Sequence, residues 1–118
     1  MNVVAIIPAA GVGQRMGADI PKQYLPLLGK SILEQSVNAL LADPRVQHVF
    51  IAVQNDDPYF AELDSLKAHP QVVRVAGGET RAQSVQHGLR AANDLYGADT
   101  LALVHDAARP GLSFKLLK

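Results

Sequence analysis

Cysteine is absent from the 118-residue sequence, and this excludes several kinds of site. Without thiols the chain cannot form a disulfide framework, bind zinc through thiolates or use a thiol nucleophile. Net charge is absent as well, because eleven basic residues are balanced by eleven acidic ones. No overall positive field is therefore expected that would hold nucleic acid or an anionic membrane, and any bound anion must be held by local groups.

Long hydrophobic runs are also missing. The apolar opening over residues 3–7 is only as long as a strand and runs into Pro8, so it resembles neither a signal peptide nor a membrane span. Hydrophobic residues nevertheless make up 48% of the chain, which is enough for one buried core and too much for a disordered segment. We expect one domain, or part of one, in the cytoplasm.

The apolar pattern predicts strands that alternate with helices. Short β-branched runs predict four buried strands, at residues 3–7, 48–53, 72–75 and 100–105. Helical spacing predicts helices at residues 31–42, 57–68 and 81–96. The first helix begins with a capping box between Ser31 and Glu34. The second begins with Asp57 before Pro58, and the third ends at Gly97.

This alternation predicts the fold class. Right-handed crossovers between such strands give a mainly parallel sheet with helices on both faces, which is a Rossmann-like, three-layer α/β fold. Residues 113–118 have the pattern of a further helix that stops abruptly, which indicates a truncated domain. Ligands of such sheets bind at the carboxyl ends of the strands, so the loops that follow residues 7, 53, 75 and 105 form the candidate site.

The loop after the first strand has the composition of a phosphate-binding loop. Its small residues would let backbone N–H groups approach a phosphate chain: Ala9, Ala10, Gly11 and Gly13. Arg15 and Lys22 add two cations within the same loop. The combination favours phosphate binding over the alternative, a tight turn with two solvated cations.

Two other nucleotide-binding motifs fit this loop poorly. Its glycines imitate the spacing of a dinucleotide fold, but Pro21 and Pro26 would break the helix that such a motif opens. The second strand is followed by Gln54 instead of the acidic residue that would bind a ribose. A Walker loop is excluded because no Gly-Lys-Ser/Thr follows at the required spacing.

The loops after the third and fourth strands carry further candidates. Gly77 and Gly78 precede Thr80, the predicted N-cap, so free N–H groups are expected there; an ordinary strand-to-helix turn explains these residues equally well. Asp106 follows a buried strand, where a carboxylate needs a partner. The partner is either Mg²⁺ brought with a triphosphate or a structural bridge to Arg109, and the position at a strand's carboxyl end favours the metal.

The histidines are weaker candidates. His105 is expected to be a packed side chain, because alternation along a strand points it away from Asp106. The other three histidines have no metal-ligand spacing.

Three motifs follow one another along the chain. They read PAAGVGQRMG with PKQY at residues 8–17 and 21–24, GGETRAQS at 77–84 and VHDAARP at 104–110. Together they resemble the signature of the 2-C-methyl-D-erythritol 4-phosphate cytidylyltransferase family, which acts in the non-mevalonate isoprenoid pathway. Ribitol-phosphate cytidylyltransferases share much of this pattern and are the nearest alternative.

The resemblance implies a nucleotidyltransferase that moves CMP from CTP onto a polyol phosphate and releases pyrophosphate. It implies that Arg15 and Lys22 stabilise charge on the transferred and departing phosphates, that Asp106 approaches Mg²⁺ and that Arg109 holds the acceptor's phosphate. It assigns recognition of the base to Ala9, Ala10, Gly78, Glu79 and Ser84. An ionised acceptor phosphate needs no general base, so catalysis consists of positioning and charge.

The resemblance also implies a longer protein. Members of this family are about twice this length on the usual domain scale. We therefore expect residues 1–118 to form the nucleotide-binding, N-terminal part of one cytidylyltransferase domain, and the other half to supply acceptor contacts and the arm of a homodimer. The alternatives from other classes are a nucleotide-binding fragment without turnover and, disfavoured by Gln54, a dehydrogenase.

Overall fold

A computed structural model describes residues 2–9, 26–27, 30–54, 60, 63–97, 99–105 and 115–117. Its main sheet contains five strands in the order β5-β4-β1-β6-β7. These are β1 (Asn2–Pro8), β4 (Val46–Val53), β5 (Val72–Ala76), β6 (Thr100–Val104) and β7 (Lys115–Leu117). Two short strands, β2 (Pro26–Leu27) and β3 (Lys30–Ser31), pair separately and antiparallel to each other.

The four strands predicted from sequence all form, and they are parallel to one another. Burial differs from the prediction at β5, where Arg74 and Ala76 are exposed and the valines are only half-buried. β5 pairs with β4 alone among the described strands and lies at the edge of the sheet, so it has a neighbour on one side only. The prediction of four buried strands is therefore wrong for this one.

The prediction of a helix at residues 113–118 is also wrong for the part that the structure describes. Lys115–Leu117 forms β7, which pairs antiparallel with β6 through Ala102↔Leu117, Leu103↔Leu116 and Val104↔Lys115. A helix as short as the predicted segment forms few internal hydrogen bonds, whereas the open edge of β6 offers a row of backbone donors and acceptors. Pairing with that edge satisfies the backbone groups of β7 that face β6.

The helices are α1 (Ile32–Leu41), α2 (Asp64–Lys67) and α3 (Arg81–Tyr96). The predicted capping box is confirmed, because the Glu34 N–H donates to Ser31 Oγ at 3.1 Å and the Ser31 N–H donates to Glu34 Oε1 at 3.1 Å. α3 is capped by Thr80 and followed by Gly97, as predicted. The prediction of one continuous helix over residues 57–68 is wrong at Leu63, where φ is −90° and ψ is 71°: Phe60 is helical, and α2 begins only after Leu63. Asp57 and Pro58 lie outside the described residues.

Helices cover both faces of the sheet, as the strand and helix alternation predicts. Along β1, Ala5 and Ile7 point into a core cluster with Leu33, Val37 and Leu40 of α1. Phe60 and Leu66 belong to the same cluster, and Leu63 packs against it. The alternate residues Val4 and Ile6 point into a second cluster with Val85 and Ala92 of α3. None of the described helices is long and apolar enough to cross a membrane.

Candidate functional site

The carboxyl ends of the four parallel strands lie along one edge of the sheet. One backbone hydrogen bond continues each ladder past the strand end: Ala9 N–H to Ala52 O at 2.8 Å, Gly77 N–H to Val53 O at 2.9 Å, and His105 N–H to Ile6 O at 3.0 Å. These bonds fix where each loop leaves the sheet. The three motif-bearing loops therefore start along the same edge, which is where ligands of parallel α/β sheets bind.

Ala9 begins the loop after β1 and is almost fully buried. Its methyl group packs into the core cluster formed with α1, and its N–H donates to the Ala52 carbonyl, so the prediction that this N–H approaches a phosphate is wrong. The small side chain at this position lets the chain turn closely over the end of the strand. The remaining predicted residues of the phosphate loop lie outside the described residues: Ala10, Gly11, Gly13, Arg15 and Lys22.

Gly78 and Ser84 are brought together by the turn between β5 and α3. The Gly78 N–H donates to Ser84 Oγ at 3.0 Å, and only 2% of Ser84 is exposed. A Cβ atom at position 78 would lie 2.3 Å from Gln83 Cβ and 3.0 Å from Ser84 N. Any larger residue at 78 would therefore push the turn away from α3.

The predicted cap of α3 is confirmed, and a further side chain joins it. Thr80 Oγ1 accepts the Gln83 N–H at 3.1 Å, and Gln83 Oε1 accepts the Glu79 N–H at 2.8 Å. The sequence predicted free N–H groups at this turn, but those of Gly77, Gly78 and Glu79 all donate within the protein. The groups that the 77–79 turn offers a ligand are therefore acceptors, above all the exposed Glu79 carboxylate.

Two residues of this site were missed as functional candidates. Gln54, which follows β4, donates from Nε2 to the Gly78 carbonyl at 3.4 Å, and Gln83 holds the next amide of the same turn. The sequence signal for Gln83 is its position three residues after the Thr80 N-cap, where Glu or Gln completes a capping box. The sequence placed Gln54 in a candidate loop, but nothing local indicates its partner, which belongs to another loop.

His87 of α3 supports the same turn from the helix. Its Nδ1 lies 2.8 Å from the Ala76 carbonyl oxygen, and a carbonyl can only accept, so this nitrogen carries the proton. Arg81, the first residue of α3, is exposed beside the turn. Side chains of α3 thus hold Ala76, Gly78 and Glu79, whereas Gly77 is bonded to Val53 of β4.

The loop after β6 begins with a buried histidine. His105 has no exposed surface, which confirms the prediction of a packed side chain. Asp106 and Arg109 follow it in sequence and lie outside the described residues. In the part of the chain that the structure does describe, no group of three or more His, Asp or Glu side chains could hold a metal ion.

A carboxyl group with a lowered pKa lies away from this edge. Asp43 is in the turn between α1 and β4, at the opposite end of β4 from Gln54. Hydrogen bonds from the side chain and backbone of Arg45 lower the pKa of Asp43 to about 2. This ion pair is a structural feature of the turn and not part of the candidate site.

Comparison with known proteins agrees with this geometry. The sequence pattern of the 2-C-methyl-D-erythritol 4-phosphate cytidylyltransferase (IspD) family matches residues 3–118. The chain is 54% identical over 112 residues to the protein of that name from Escherichia coli O7:K1, covering 95% of this chain and 45% of the relative. It is 51% identical over 109 residues to the protein from Vibrio vulnificus strain CMCP6, covering 92% and 46%.

Solved structures of proteins from this family are also similar to this chain. The crystal structure of Francisella tularensis 2-C-methyl-D-erythritol 4-phosphate cytidylyltransferase superposes with a TM-score of 0.72 at 38% sequence identity, covering 96% of this chain and 47% of that one. A structure of 4-diphosphocytidyl-2C-methyl-D-erythritol synthase superposes with a TM-score of 0.76 at 30% identity. The chain spans less than half the length of the curated relatives that it matches. With the pattern matched over residues 3–118, the chain belongs to the 2-C-methyl-D-erythritol 4-phosphate cytidylyltransferase family.

Proposed function

We propose that the protein transfers CMP from CTP to 2-C-methyl-D-erythritol 4-phosphate and releases pyrophosphate, in the synthesis of isoprenoid precursors. The observation that carries this proposal is the acceptor character of the 77–79 turn. Its three N–H groups are engaged within the protein, whereas the Glu79 carboxylate is exposed at the sheet's carboxyl edge. Membership of the family supplies the reaction class.

The turn suits cytosine better than uracil. Cytosine carries an exocyclic amino group, a donor, where uracil carries a carbonyl, an acceptor. A donor next to the Gly78 carbonyl or the Glu79 carboxylate forms a hydrogen bond, whereas an acceptor there leaves two acceptors facing each other. Sites built around such polar contacts discriminate strongly against the ligand that cannot form them. Ala9, Ala10 and Ser84 complete the proposed base site.

The phosphates are assigned to the loop after β1. The small residues Ala10, Gly11 and Gly13 would give backbone access to them, and Arg15 and Lys22 would balance charge on the α-phosphate and on the departing pyrophosphate. The acceptor's ionised phosphate oxygen attacks the α-phosphorus in line, a P–O bond forms to it, and the bond to pyrophosphate breaks. Arg109 would hold the acceptor's phosphate.

Asp106 is proposed as the protein ligand of Mg²⁺. This assignment is supported by the position of Asp106 in the sequence. The His105 N–H donates to the Ile6 carbonyl at the sheet's carboxyl edge, and Asp106 is the next residue. One or two carboxylates are enough when a triphosphate supplies the other oxygen ligands. When bound, the ion would neutralise charge on the phosphate oxygens.

Pyrophosphate release by the gene's full-length product tests the reaction. We expect turnover with CTP and methylerythritol phosphate, far less with UTP, and little with ribitol 5-phosphate. Turnover of ribitol 5-phosphate in place of methylerythritol phosphate would reassign the acceptor, and equal rates with CTP and UTP would refute the base site. Nucleotide binding with no turnover of either acceptor would contradict the transferase function itself.

Mg²⁺ binding can be tested on the 118-residue chain by calorimetry. If Asp106 shares the ion with triphosphate oxygens, the chain should bind Mg²⁺ weakly alone and more tightly with CTP present. Asp106→Asn should remove the effect of CTP on the Mg²⁺ affinity. Tight binding of Mg²⁺ without nucleotide would contradict shared coordination.

We also propose that the protein is a cytoplasmic homodimer and that it binds neither nucleic acid nor membranes. The balanced charge of the chain supports the absence of nucleic-acid and membrane partners, and the dimer follows from the family resemblance. Sedimentation of the full-length product should give twice the mass of one chain, and fractionation should leave it with the cytosol. A monomer that is fully active would contradict a functional dimer.

A further inference from the structure

The peptide unit that joins Gly78 to Glu79 is held at both of its polar ends. Because a peptide unit is planar and trans, the Gly78 carbonyl and the Glu79 N–H lie in one plane and point in opposite directions. The N–H donates to Gln83 Oε1 at 2.8 Å, and the carbonyl accepts from Gln54 Nε2 at 3.4 Å. Two glutamine side chains from different elements therefore fix the orientation of one peptide plane.

Gln83 makes the shorter of these contacts and is itself firmly placed. Its N–H donates to Thr80 Oγ1 at 3.1 Å, and its Cβ lies so close to the position of a Cβ at residue 78 that the two would overlap. In an ordinary capping box the side chain three residues into the helix bonds the N-cap amide. Here it reaches the amide of Glu79, one residue earlier. The helix start thereby orients the turn that precedes it.

The plane needs such a restraint because Gly78 has no side chain. Glycine places little steric restriction on its own ψ torsion, so the 78–79 plane can tilt on the Gly78 side unless it is held. A tilt would turn the Gly78 carbonyl, an acceptor, away from the direction in which it points now. The alignment of this acceptor with a ligand therefore depends on the contacts that hold the plane.

We propose that Gln83 is a positioning residue for base selectivity, acting through the 78–79 peptide. The inference rests on the proposed function, in which this turn reads the base of CTP. With Gln83 in place the site presents an acceptor, which matches the amino group of cytosine. Without it the plane can tilt and the acceptor is no longer aligned with that amino group, so the preference for cytosine over uracil falls.

Calorimetry of CTP and UTP binding to the gene's full-length product tests this. Gln83→Met keeps the length of the side chain and removes the acceptor. We expect CTP to bind about three- to tenfold more weakly, the range that one hydrogen bond provides, and UTP, which makes no hydrogen bond to this acceptor, to bind as well as before. Gln83→Glu retains an oxygen at the same reach and should keep the CTP preference. Gln86→Met, at an exposed position of the same helix, is the matched control.

The two hypotheses fail in different ways. Equal binding of CTP and UTP by the unsubstituted protein would refute the proposed function and this inference with it. A CTP-selective protein whose CTP/UTP ratio is unchanged in Gln83→Met would overturn the inference alone. If Gln83 had a purely structural role, Gln83→Met would weaken the binding of CTP and UTP by the same factor. That outcome would also overturn the inference.

A second measurement covers the case in which Gln83→Met does not fold. Amide hydrogen exchange of the unsubstituted protein should show the Glu79 N–H protected at least about tenfold, because it is bonded to Gln83 Oε1. Exchange at the rate of a free amide would contradict the hydrogen bond between the Glu79 N–H and Gln83 Oε1. Gln54→Met, which removes the weaker contact at the carbonyl, should lower the CTP/UTP ratio in the same direction but by a smaller factor.

Discussion

Gly88 of α3 lies directly against Ile6 of β1, in the core cluster between the helix and the sheet. A Cβ atom at position 88 would lie 2.6 Å from Ile6 Cγ2 and 3.3 Å from Cγ1. Ile6 is fully buried and β-branched, so its side chain has little freedom to move aside. The absence of a side chain at 88 therefore sets how closely α3 approaches the sheet.

Gly88→Ala should destabilise the protein despite the higher helix propensity of alanine. The propensity gain of about 1 kcal/mol is opposed by an overpacking cost of about 1–3 kcal/mol, so we expect a net loss of up to about 2 kcal/mol. Urea denaturation measures the free energy of unfolding. In an Ile6→Ala background the methyl group introduced at position 88 would occupy the space that the Ile6 side chain fills in the unsubstituted protein. There Gly88→Ala should leave the free energy of unfolding unchanged or raise it. A stabilising Gly88→Ala in the unsubstituted protein would contradict the close contact.

The two hydroxyl groups that contact the Glu34 carboxylate should differ in their effect on stability. Ser31 is 8% exposed and forms the capping box, whereas Ser65 is exposed and donates to Glu34 Oε2 at 2.8 Å. We expect Ser31→Ala to lower the free energy of unfolding by about 1 kcal/mol, because an N-H group of α1 loses its acceptor. Ser65→Ala should cost less than about 0.5 kcal/mol. Equal losses in thermal or urea unfolding would contradict a dominant cap.

Acid should weaken the turn between α1 and β4. Arg45 contacts Asp43 through Nη2 at 2.7 Å and Nε at 3.0 Å, and its hydrogen bonds lower the pKa of Asp43 from 3.8 to about 2. A lowered folded-state pKa gives stability that is fully present above the ordinary pKa and is lost as the pH falls toward about 2. The urea midpoint of the unsubstituted protein should therefore exceed that of Asp43→Asn near neutral pH, and the difference should disappear in this acid range. A difference independent of pH would show that the ionised carboxylate is not responsible.

Arg15 and Lys22 should act on the transition state more than on CTP binding. If they stabilise charge that develops on the phosphates, Arg15→Ala and Lys22→Ala should lower kcat by about two to four orders of magnitude and change CTP affinity far less. Steady-state kinetics and CTP calorimetry on the full-length product separate the two effects. Arg90→Ala, at an exposed position of α3, controls for the loss of a positive charge. A variant with nearly normal kcat would remove that residue from the mechanism.

The features that the sequence predicted well are those decided by neighbours along the chain. The capping box of Ser31 and Glu34 and the Thr80 cap follow from residues within one helical turn, and both are present. The predictions that were wrong concern residues whose environment is set by strands that are distant along the chain. Val72, Val73 and Val75 have the composition of a buried strand, yet β5 has a partner on one side only, because the order of strands in a sheet is not encoded within any one of them. Residues 115–117 pair with β6 for the same reason: the open edge is a property of the assembled sheet.

For the site, the sequence by itself determined in which loops the candidate residues lie, because strand periodicity and the three motifs place the candidates at the carboxyl ends of strands. It also determined the family, since the motifs are local strings of residues. Only the tertiary structure decided which polar groups of the 77–79 turn are left for a ligand, because its N–H groups are bonded by partners that the fold brings together. Gln54 belongs to a different loop from Gly78, and a hydrogen bond between them exists only after β4 and β5 have paired.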